Sequence, residues 1–153
     1  MSSQKNFVEV YEQKPEDFFL QVETVACYLE VGGLLLLLEN SLEKSEPGTF
    51  GVPAGKLELG ETLEEGAKRE LWEETGITAP LVFLGTLYIR KPGFSYSYHL
   101  FKALLDEIPE VNLSSEHKAY KWASKEEIKD MPLMLGAQQA LHKYYASQKE
   151  GCG

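Results

Sequence analysis

The feature that most constrains the fold is a run of five leucines, Leu34–Leu38, directly after the pair Gly32-Gly33. Leucine is a good helix former, so propensity alone favours a helix here. The shortness of the run and the flanking glycine pair, a typical hairpin signal, favour a strand instead. We predict a strand buried on both faces, preceded by a first strand over Phe18–Glu30, which is rich in Val, Phe, Thr and Tyr.

A helix is predicted after a polar, turn-rich segment that ends near residue 61. Thr62 followed by Glu65 fits a capping box, and Gly76 is a C-terminal stop signal, so the helix should run to about Thr75. Its buried stripe recurs every four residues at Leu63, Ala67 and Leu71.

The remaining elements follow from alternation and turn signals. We predict strands at Leu81–Arg90, Ser95–Leu105 and Tyr120–Trp122, a short helix from the Ser124/Glu127 capping box to about Asp130, and a helix over Gly136–Ser147. The order of strands, helix, strands and helix favours an α/β or α+β sandwich.

Length and composition indicate one globular domain over residues 1–153, with short polar tails at about 1–5 and 148–153. The net charge of -9 argues against long nucleic acids as partners, because such binding draws on many phosphate neutralisations. No signal peptide is visible, and the longest apolar run is too short to span a bilayer. Two cysteines, Cys27 and Cys152, do not make a disulfide scaffold, and no role follows for either. We expect a cytoplasmic protein with no membrane partner.

Three carboxylates distinguish the predicted helix. Glu70, Glu73 and Glu74 stand at i, i+3 and i+4, so they share one helix face, where like charges repel one another. A hard divalent cation such as Mg²⁺, or Mn²⁺, offers an explanation, because these ions prefer oxygen ligands. The alternative is a solvated acidic face with Lys68 and Arg69 as partial counterions.

The surrounding residues favour a metal site over a solvated acidic face. Gly55, Glu61 and the segment Arg69-Glu70-Leu71-Trp72-Glu73-Glu74-Thr75-Gly76-Ile77 resemble the Nudix hydrolase signature at every fixed position over its 23 residues. The lead-in Val52-Pro53-Ala54-Gly55 is also similar, with Ala54 where a second glycine is common. A match at this many positions, in a loop–helix–loop context, identifies a Nudix box.

The resemblance implies a fold and a set of roles. Nudix domains are α/β/α sandwiches with a mixed central sheet, and they split X linked to a nucleoside diphosphate. By position, the metal ligands would be Glu70, Glu73 and Glu74. Arg69 and Glu61 would form an orienting ion pair, Gly55 would let the loop fold tightly near the metal, and Gly76 would end the helix.

The residues offer more than one candidate for the proton acceptor. A metal would neutralise the phosphates and lower the pKa of a bound water, and a carboxylate not fully engaged by the metal would take the proton. Glu73 and Glu74 are candidates. Glu116, six residues before Trp122, is a third, because some relatives that cleave nucleoside triphosphates carry an acid at a similar place. The alternative for Glu116 is an ordinary surface carboxylate.

Aromatic and basic residues outside the box are the candidates for holding the rest of the substrate. We select Arg90 for phosphates, and Tyr98 and Phe50 for a base or sugar, although packing in the core or sheet is the commoner role of such aromatics. The segment Met131–Gly136 lacks the Asn with which some bacterial relatives read oxidised guanine. Pro92 fits ADP-ribose pyrophosphatases, which are usually longer than this chain.

The leading hypothesis is therefore a Mg²⁺-dependent enzyme, a monomer or homodimer, that converts a nucleoside triphosphate or related small nucleotide to a nucleoside monophosphate. Hydrolysis of ADP-ribose or a nucleotide sugar is the alternative within the same chemistry. A non-catalytic nucleotide sensor is the alternative from another class, disfavoured because every box carboxylate is present. An RNA-processing role lacks the basic patch that it would need.

Overall fold

The protein is seen in a computed structural model that describes the backbone of residues 8–152 and the side chains of residues 8–148. Eight strands and three helices occupy this described part. The strands are β1 (Glu9–Tyr11), β2 (Val22–Val31), β3 (Leu34–Asn40), β4 (Phe50–Gly51), β5 (Ala54–Lys56), β6 (Val82–Lys91), β7 (Phe94–Leu104) and β8 (His117–Ser124). The helices are α1 (Leu63–Thr75), α2 (Lys125–Ile128) and α3 (Ala137–Cys152).

The strands form one mixed sheet. Its main path runs β1-β6-β7-β2-β3-β4, while β5 pairs with β2 and β8 pairs with β3. The pairing of β2 with β7 is parallel, and the other pairings are antiparallel. Because β5 pairs with β2, the chain just before α1 is fixed to the centre of the sheet.

Helices cover the sheet on both sides because its central strands alternate between two apolar faces. Leu36 and Leu38 of β3 pack in one core together with α1, whereas Leu35 and Leu37 pack in the other together with α3. The same alternation holds in β2, which buries Val25, Cys27 and Leu29 on the α1 side and Ala26 and Tyr28 on the α3 side. The predicted α/β/α sandwich with a mixed central sheet is confirmed, as is the doubly buried leucine strand.

Several predicted boundaries are wrong. The first long strand begins at Val22 rather than Phe18, because the chain turns at Pro15, whose carbonyl accepts a hydrogen bond from the Phe18 amide over 3.1 Å. The Phe18 side chain is nevertheless buried, with its ring edge-on to Tyr88. At the other end, α3 continues to Cys152, so most of the predicted tail at 148–153 is helical backbone.

Three short strands were not predicted from the sequence. Neither β1, β4 nor β5 has more than three residues, and each exists because of a distant partner: β1 pairs with β6, β4 with β3, and β5 with β2. The predicted N-terminal tail at 1–5 lies outside the described residues. Within the described part of the chain, no helix has the length and apolar character needed to cross a bilayer.

Candidate active site

The acidic helix α1 is fixed at both ends by local interactions. The Thr62 hydroxyl accepts a hydrogen bond from the Glu65 amide over 3.1 Å, and the Glu65 carboxylate accepts one from the Thr62 amide over 2.9 Å. At the other end Gly76 adopts a left-handed conformation, φ 71°, and its amide donates to the Trp72 carbonyl over 2.8 Å. A side chain disfavours this backbone conformation, so glycine suits the position. Both helix ends are therefore encoded in the adjacent residues.

Arg69 is the hub of the site. Its guanidinium donates to Glu61 over 2.6 and 3.0 Å, to Glu70 over 2.9 Å, to Glu73 over 3.2 Å and to the Lys56 carbonyl over 2.9 Å. The side chain is only 20% exposed. The hydrogen bonds from Arg69 lower the pKa of Glu61. Arg69 thus ties the loop before the helix to the acidic helix face, in the ion pair expected with Glu61.

Gly55 provides the surface against which Glu70 lies. A Cβ atom at position 55 would fall inside contact distance of the three carboxyl atoms of Glu70. Gly55 is paired with Val25 in the β2–β5 ladder, so the backbone there is held by the sheet. The absence of a side chain at Gly55 therefore allows the Glu70 carboxylate to sit directly on β5.

Glu74 is the most deeply buried of the three carboxylates, with 4% of the residue exposed. Its Oε1 accepts a hydrogen bond from the Ala54 amide over 3.0 Å. Burial, and then the charge of Glu70, raise the pKa of Glu74 to about 8, although the Ala54 amide and the charge of Lys44 act in the opposite direction. Burial also raises the pKa of Glu70. Two acids whose charged forms are disfavoured thus lie side by side, which favours a cation between them.

Glu116 lies in the same cleft as the helix carboxylates. The cleft is lined by Glu70, Glu73, Glu74 and Glu116 together with Lys44, among others. Glu116 is 59% exposed on its side chain, and its Oε1 is 3.4 Å from the Nζ of Lys44. The structure thus places a loop carboxylate from just before β8 in the same cleft as the acidic face of α1.

The donor set fits a hard divalent cation, because it consists of carboxylate oxygens that are close together and partly desolvated. Among the residues that the structure describes, no three acidic, histidine or cysteine side chains are already arranged to chelate an ion. The Glu73 carboxylate lies 3.2 Å from the Arg69 guanidinium. Chelation by all three carboxylates would therefore require Glu73 to turn away from Arg69.

An apolar pocket adjoins the acidic cleft on the α3 side. Its walls include Tyr28 and Tyr98, whose hydroxyl groups share a hydrogen bond of 2.9 Å, together with Tyr96, Lys91 and Leu133. Burial raises the pKa of Tyr96 to about 12, so it stays a neutral phenol. Ala54 borders both the pocket and the cleft. Ala54, in the strand that precedes α1, therefore lies between the two spaces.

Similarity to known proteins agrees with this arrangement. The profile of the NUDIX domain matches residues 20–144. Phosphatase NudJ of Escherichia coli strain K12 is 38% identical over 108 residues, which is 69% of each chain. The chain belongs to the Nudix hydrolase family.

Solved Nudix structures share the fold. The MutT protein of Methanosarcina mazei Go1 superposes with a TM-score of 0.72 at 28% identity, covering 85% of this chain and 94% of the other. The NUDIX domain of Shewanella oneidensis NrtR, solved in complex with ADP ribose, has a TM-score of 0.73 at 22% identity and covers 88% and 92%. The Nudix box at Gly55–Ile77 thus lies within a Nudix fold, and the protein is a Nudix hydrolase.

Arg90 lies away from both spaces of this Nudix hydrolase. Its guanidinium donates to Glu9 over 3.1 Å and to Asp17 over 3.2 Å, and it lies over the rings of Tyr11 and Phe18. Arg90 therefore fastens β1 and the following loop to the sheet.

The other two residues selected for substrate binding lie at or next to the apolar pocket. Tyr98 lines the apolar pocket. Phe50 packs against the core on the α3 side, next to the pocket residues Gly51 and Val52.

Sequence reasoning missed two contributors to the Nudix site. Tyr28 was assigned only to a strand, and Lys44 only to a polar segment. The alternation in β2 could have indicated which face Tyr28 occupies. No local pattern identifies Lys44, because the fold brings it to the site from elsewhere in the chain. The segment Met131–Gly136, considered for base recognition, does contribute pocket-lining residues.

Proposed function

We propose that this Nudix hydrolase cleaves a pyrophosphate bond in a nucleoside triphosphate, or a related small nucleotide, and releases a nucleoside monophosphate. The observation that carries the proposal is the shared border at Ala54 between the acidic cleft and the apolar pocket. A nucleotide has the same two parts, an apolar base and a charged phosphate chain, joined over a short distance. Adjoining spaces of matching character favour such a ligand.

Glu70, Glu73 and Glu74 would hold the divalent metal, which we propose to be Mg²⁺ with Mn²⁺ as a substitute. The bound ion would neutralise phosphate charge and lower the pKa of a water molecule. The raised pKa values of Glu70 and Glu74 support this assignment, because a cation would relieve the repulsion between them. The hydrogen bonds from Arg69 to Glu61 and Glu70 would keep the ligand oxygens in place.

The remaining residues would bind and orient the nucleotide. Tyr98, whose hydroxyl group is hydrogen-bonded to that of the buried Tyr28, would form part of the wall against which the base or sugar rests. The Glu116 side chain is 59% exposed, compared with 54% for Glu73 and 13% for Glu70. Glu116 also belongs to the loop before β8, whereas the proposed metal ligands belong to the helix. We assign to Glu116 acceptance of the proton from the attacking water, with Glu73 and Glu74 as the alternatives.

A panel of nucleotides incubated with Mg²⁺ tests the proposal when it is scored by product. Nucleoside triphosphates should yield a nucleoside monophosphate and inorganic pyrophosphate. Glu73→Gln should lose turnover while keeping its circular dichroism spectrum, whereas Glu64→Gln should keep its turnover, because Glu64 pairs with Lys68 outside the cleft.

Two other results would replace the proposed substrate or the proposed activity. Preferred release of a sugar phosphate would indicate ADP-ribose or a nucleotide sugar as the substrate class. Tight nucleotide binding without Mg²⁺-stimulated hydrolysis across the panel would indicate a sensor. Full turnover in both Glu73→Gln and Glu74→Gln would contradict the metal site.

A further inference from the structure

The loop between β3 and β4, residues 41–49, borders both parts of the site. Lys44 extends from it into the acidic cleft. Two residues later, Glu46 accepts a hydrogen bond from the Leu135 amide over 2.8 Å and lies 3.5 Å from Lys91, and both of these partners line the apolar pocket. One short loop therefore places a cation at the phosphate end of the site and an anchor at the pocket.

The loop is held in a defined shape. The Asn40 side-chain amide donates to the Ser45 carbonyl over 3.0 Å, and the Thr49 hydroxyl donates to the Glu46 carbonyl over 2.7 Å. Glu46 has a φ of 53°, a left-handed conformation that is unfavourable for a residue with a side chain. Bonds from several elements maintain this conformation, so the position of Lys44 is set by the fold rather than by a freely moving loop.

The ion pair between Lys44 and Glu116 costs little free energy to break. The two charged atoms are 3.4 Å apart, and the side chains are 28% and 59% exposed. Ion pairs with this exposure contribute little to stability, because water solvates both groups well when they separate. A phosphate group with a charge near -2 attracts a lysine more strongly than a single carboxylate at the same distance. Replacement of Glu116 by a phosphate oxygen as the partner of Lys44 is therefore favourable.

We propose that Lys44 binds the terminal phosphate of the substrate and, in doing so, leaves Glu116 free of its ion pair. This rests on the proposed function, because it presumes a phosphate chain in the acidic cleft. Lysine is a compact point charge, and among the groups of a nucleoside triphosphate the terminal phosphate carries the most negative charge. Lys44 thereby distinguishes triphosphates from diphosphate conjugates, whose outer phosphate is esterified and carries one charge less.

Lys44→Gln tests the assignment through kinetics with two substrates. For the best nucleoside triphosphate, KM should rise about tenfold, the usual size of a lost charge-assisted hydrogen bond, with a much smaller change in kcat. For ADP-ribose KM should change less than threefold. Lys44→Arg should recover most of the affinity. Lys129→Gln is the control, because Lys129 also pairs with a glutamate, Glu126, at 3.2 Å but lines neither space.

Calorimetric binding of inorganic pyrophosphate in the presence of Mg²⁺ gives a second measure that requires no turnover. The dissociation constant should rise about tenfold in Lys44→Gln and stay unchanged in Lys129→Gln. An unchanged KM and an unchanged dissociation constant in Lys44→Gln overturn the role of Lys44, as does an equal loss for the triphosphate and ADP-ribose. A wild-type protein that hydrolyses no nucleotide overturns the proposed function instead, and pyrophosphate binding then still decides whether Lys44 binds phosphate.

Discussion

Gly55→Ala should separate the stability of the fold from the integrity of the metal site. The added methyl group would fall inside contact distance of the Glu70 carboxylate, so that carboxylate must move by about 1 Å to restore ordinary carbon–oxygen contact. Overpacking of this kind costs about 1–3 kcal/mol, and reduced freedom of the unfolded chain returns about 0.4–1 kcal/mol. The net loss should be about 1–2 kcal/mol, or about 2–8 °C in melting temperature for a chain of this size.

The effect on the site should exceed the effect on stability. Displacement of Glu70 by about 1 Å moves one of the proposed ligands out of its present position, and shifts of this size can reduce activity about 100-fold. We expect Gly55→Ala to fold, with Mn²⁺ affinity measured by calorimetry falling about 10–100-fold, as when metal-site support is lost. Turnover should fall with it.

A double-mutant cycle with Glu70→Ala provides the control. When the Glu70 carboxylate is absent, the methyl group at position 55 has room, so Gly55→Ala should no longer destabilise the protein. Equal destabilisation in both backgrounds would show that the cost arises from the β5 backbone and not from Glu70. Unchanged metal affinity in the single variant would refute the placement of Glu70 in the metal site.

Three further perturbations address other parts of the structure. Arg69→Lys should lower the free energy of unfolding by about 2 kcal/mol in urea titrations, because an ammonium group cannot reproduce the several simultaneous hydrogen bonds of the guanidinium. A loss as small as that of Lys68→Gln would contradict the role of Arg69 in joining the loop to the helix. In chelator-treated protein, the raised pKa of Glu74 means that the protonated form is favoured in the fold, so the stability that this group contributes is present below pH 4.5 and is lost as pH rises to about 8. Glu74→Gln should therefore reduce the pH dependence of the urea unfolding midpoint. An identical pH dependence in the variant would argue against a buried Glu74. Tyr144→Phe should cost about 1–2 kcal/mol by removing the hydrogen bond to Glu30 at 2.5 Å while keeping the stacking on Tyr28, and thermal unfolding measures the loss.

Elements with local determinants could be predicted closely. The bounds of α1 follow from Thr62, Glu65 and Gly76, which satisfy its terminal backbone groups whatever the rest of the chain does. The acidic helix face also follows from spacing alone, since residues three and four apart share a face in any α-helix. The strand β3 could be predicted for a similar reason, because its leucine run is short and directly follows the hairpin signal Gly32-Gly33.

Elements that depend on distant partners could not be predicted. The strand β5 has three residues and exists because β2 offers it a backbone edge, yet it sets both the contact of Gly55 with Glu70 and the hydrogen bond from Ala54 to Glu74. The burial of Glu74 is likewise a product of tertiary packing and not of the helix sequence. The prediction that Arg90 binds phosphate had the same weakness. Arg90 pairs with Glu9 and Asp17, which are distant in sequence, and local patterns do not indicate such partners.

The acidity of the chain acquires a different meaning when its distribution is considered. Seven of the glutamates lie between Lys56 and Gly76 and outweigh three cations there, so this segment contributes -4 to the net charge of -9. Arg69 compensates one side of that charge, by its bonds to Glu61, Glu70 and Glu73. Glu74 makes no such bond and is buried beside Glu70, with a pKa raised by burial and by that neighbour. Carboxyl groups without a neighbouring cation strong enough to keep them ionised are thus concentrated at one cleft, where a divalent cation would supply the positive charge that a phosphate substrate needs.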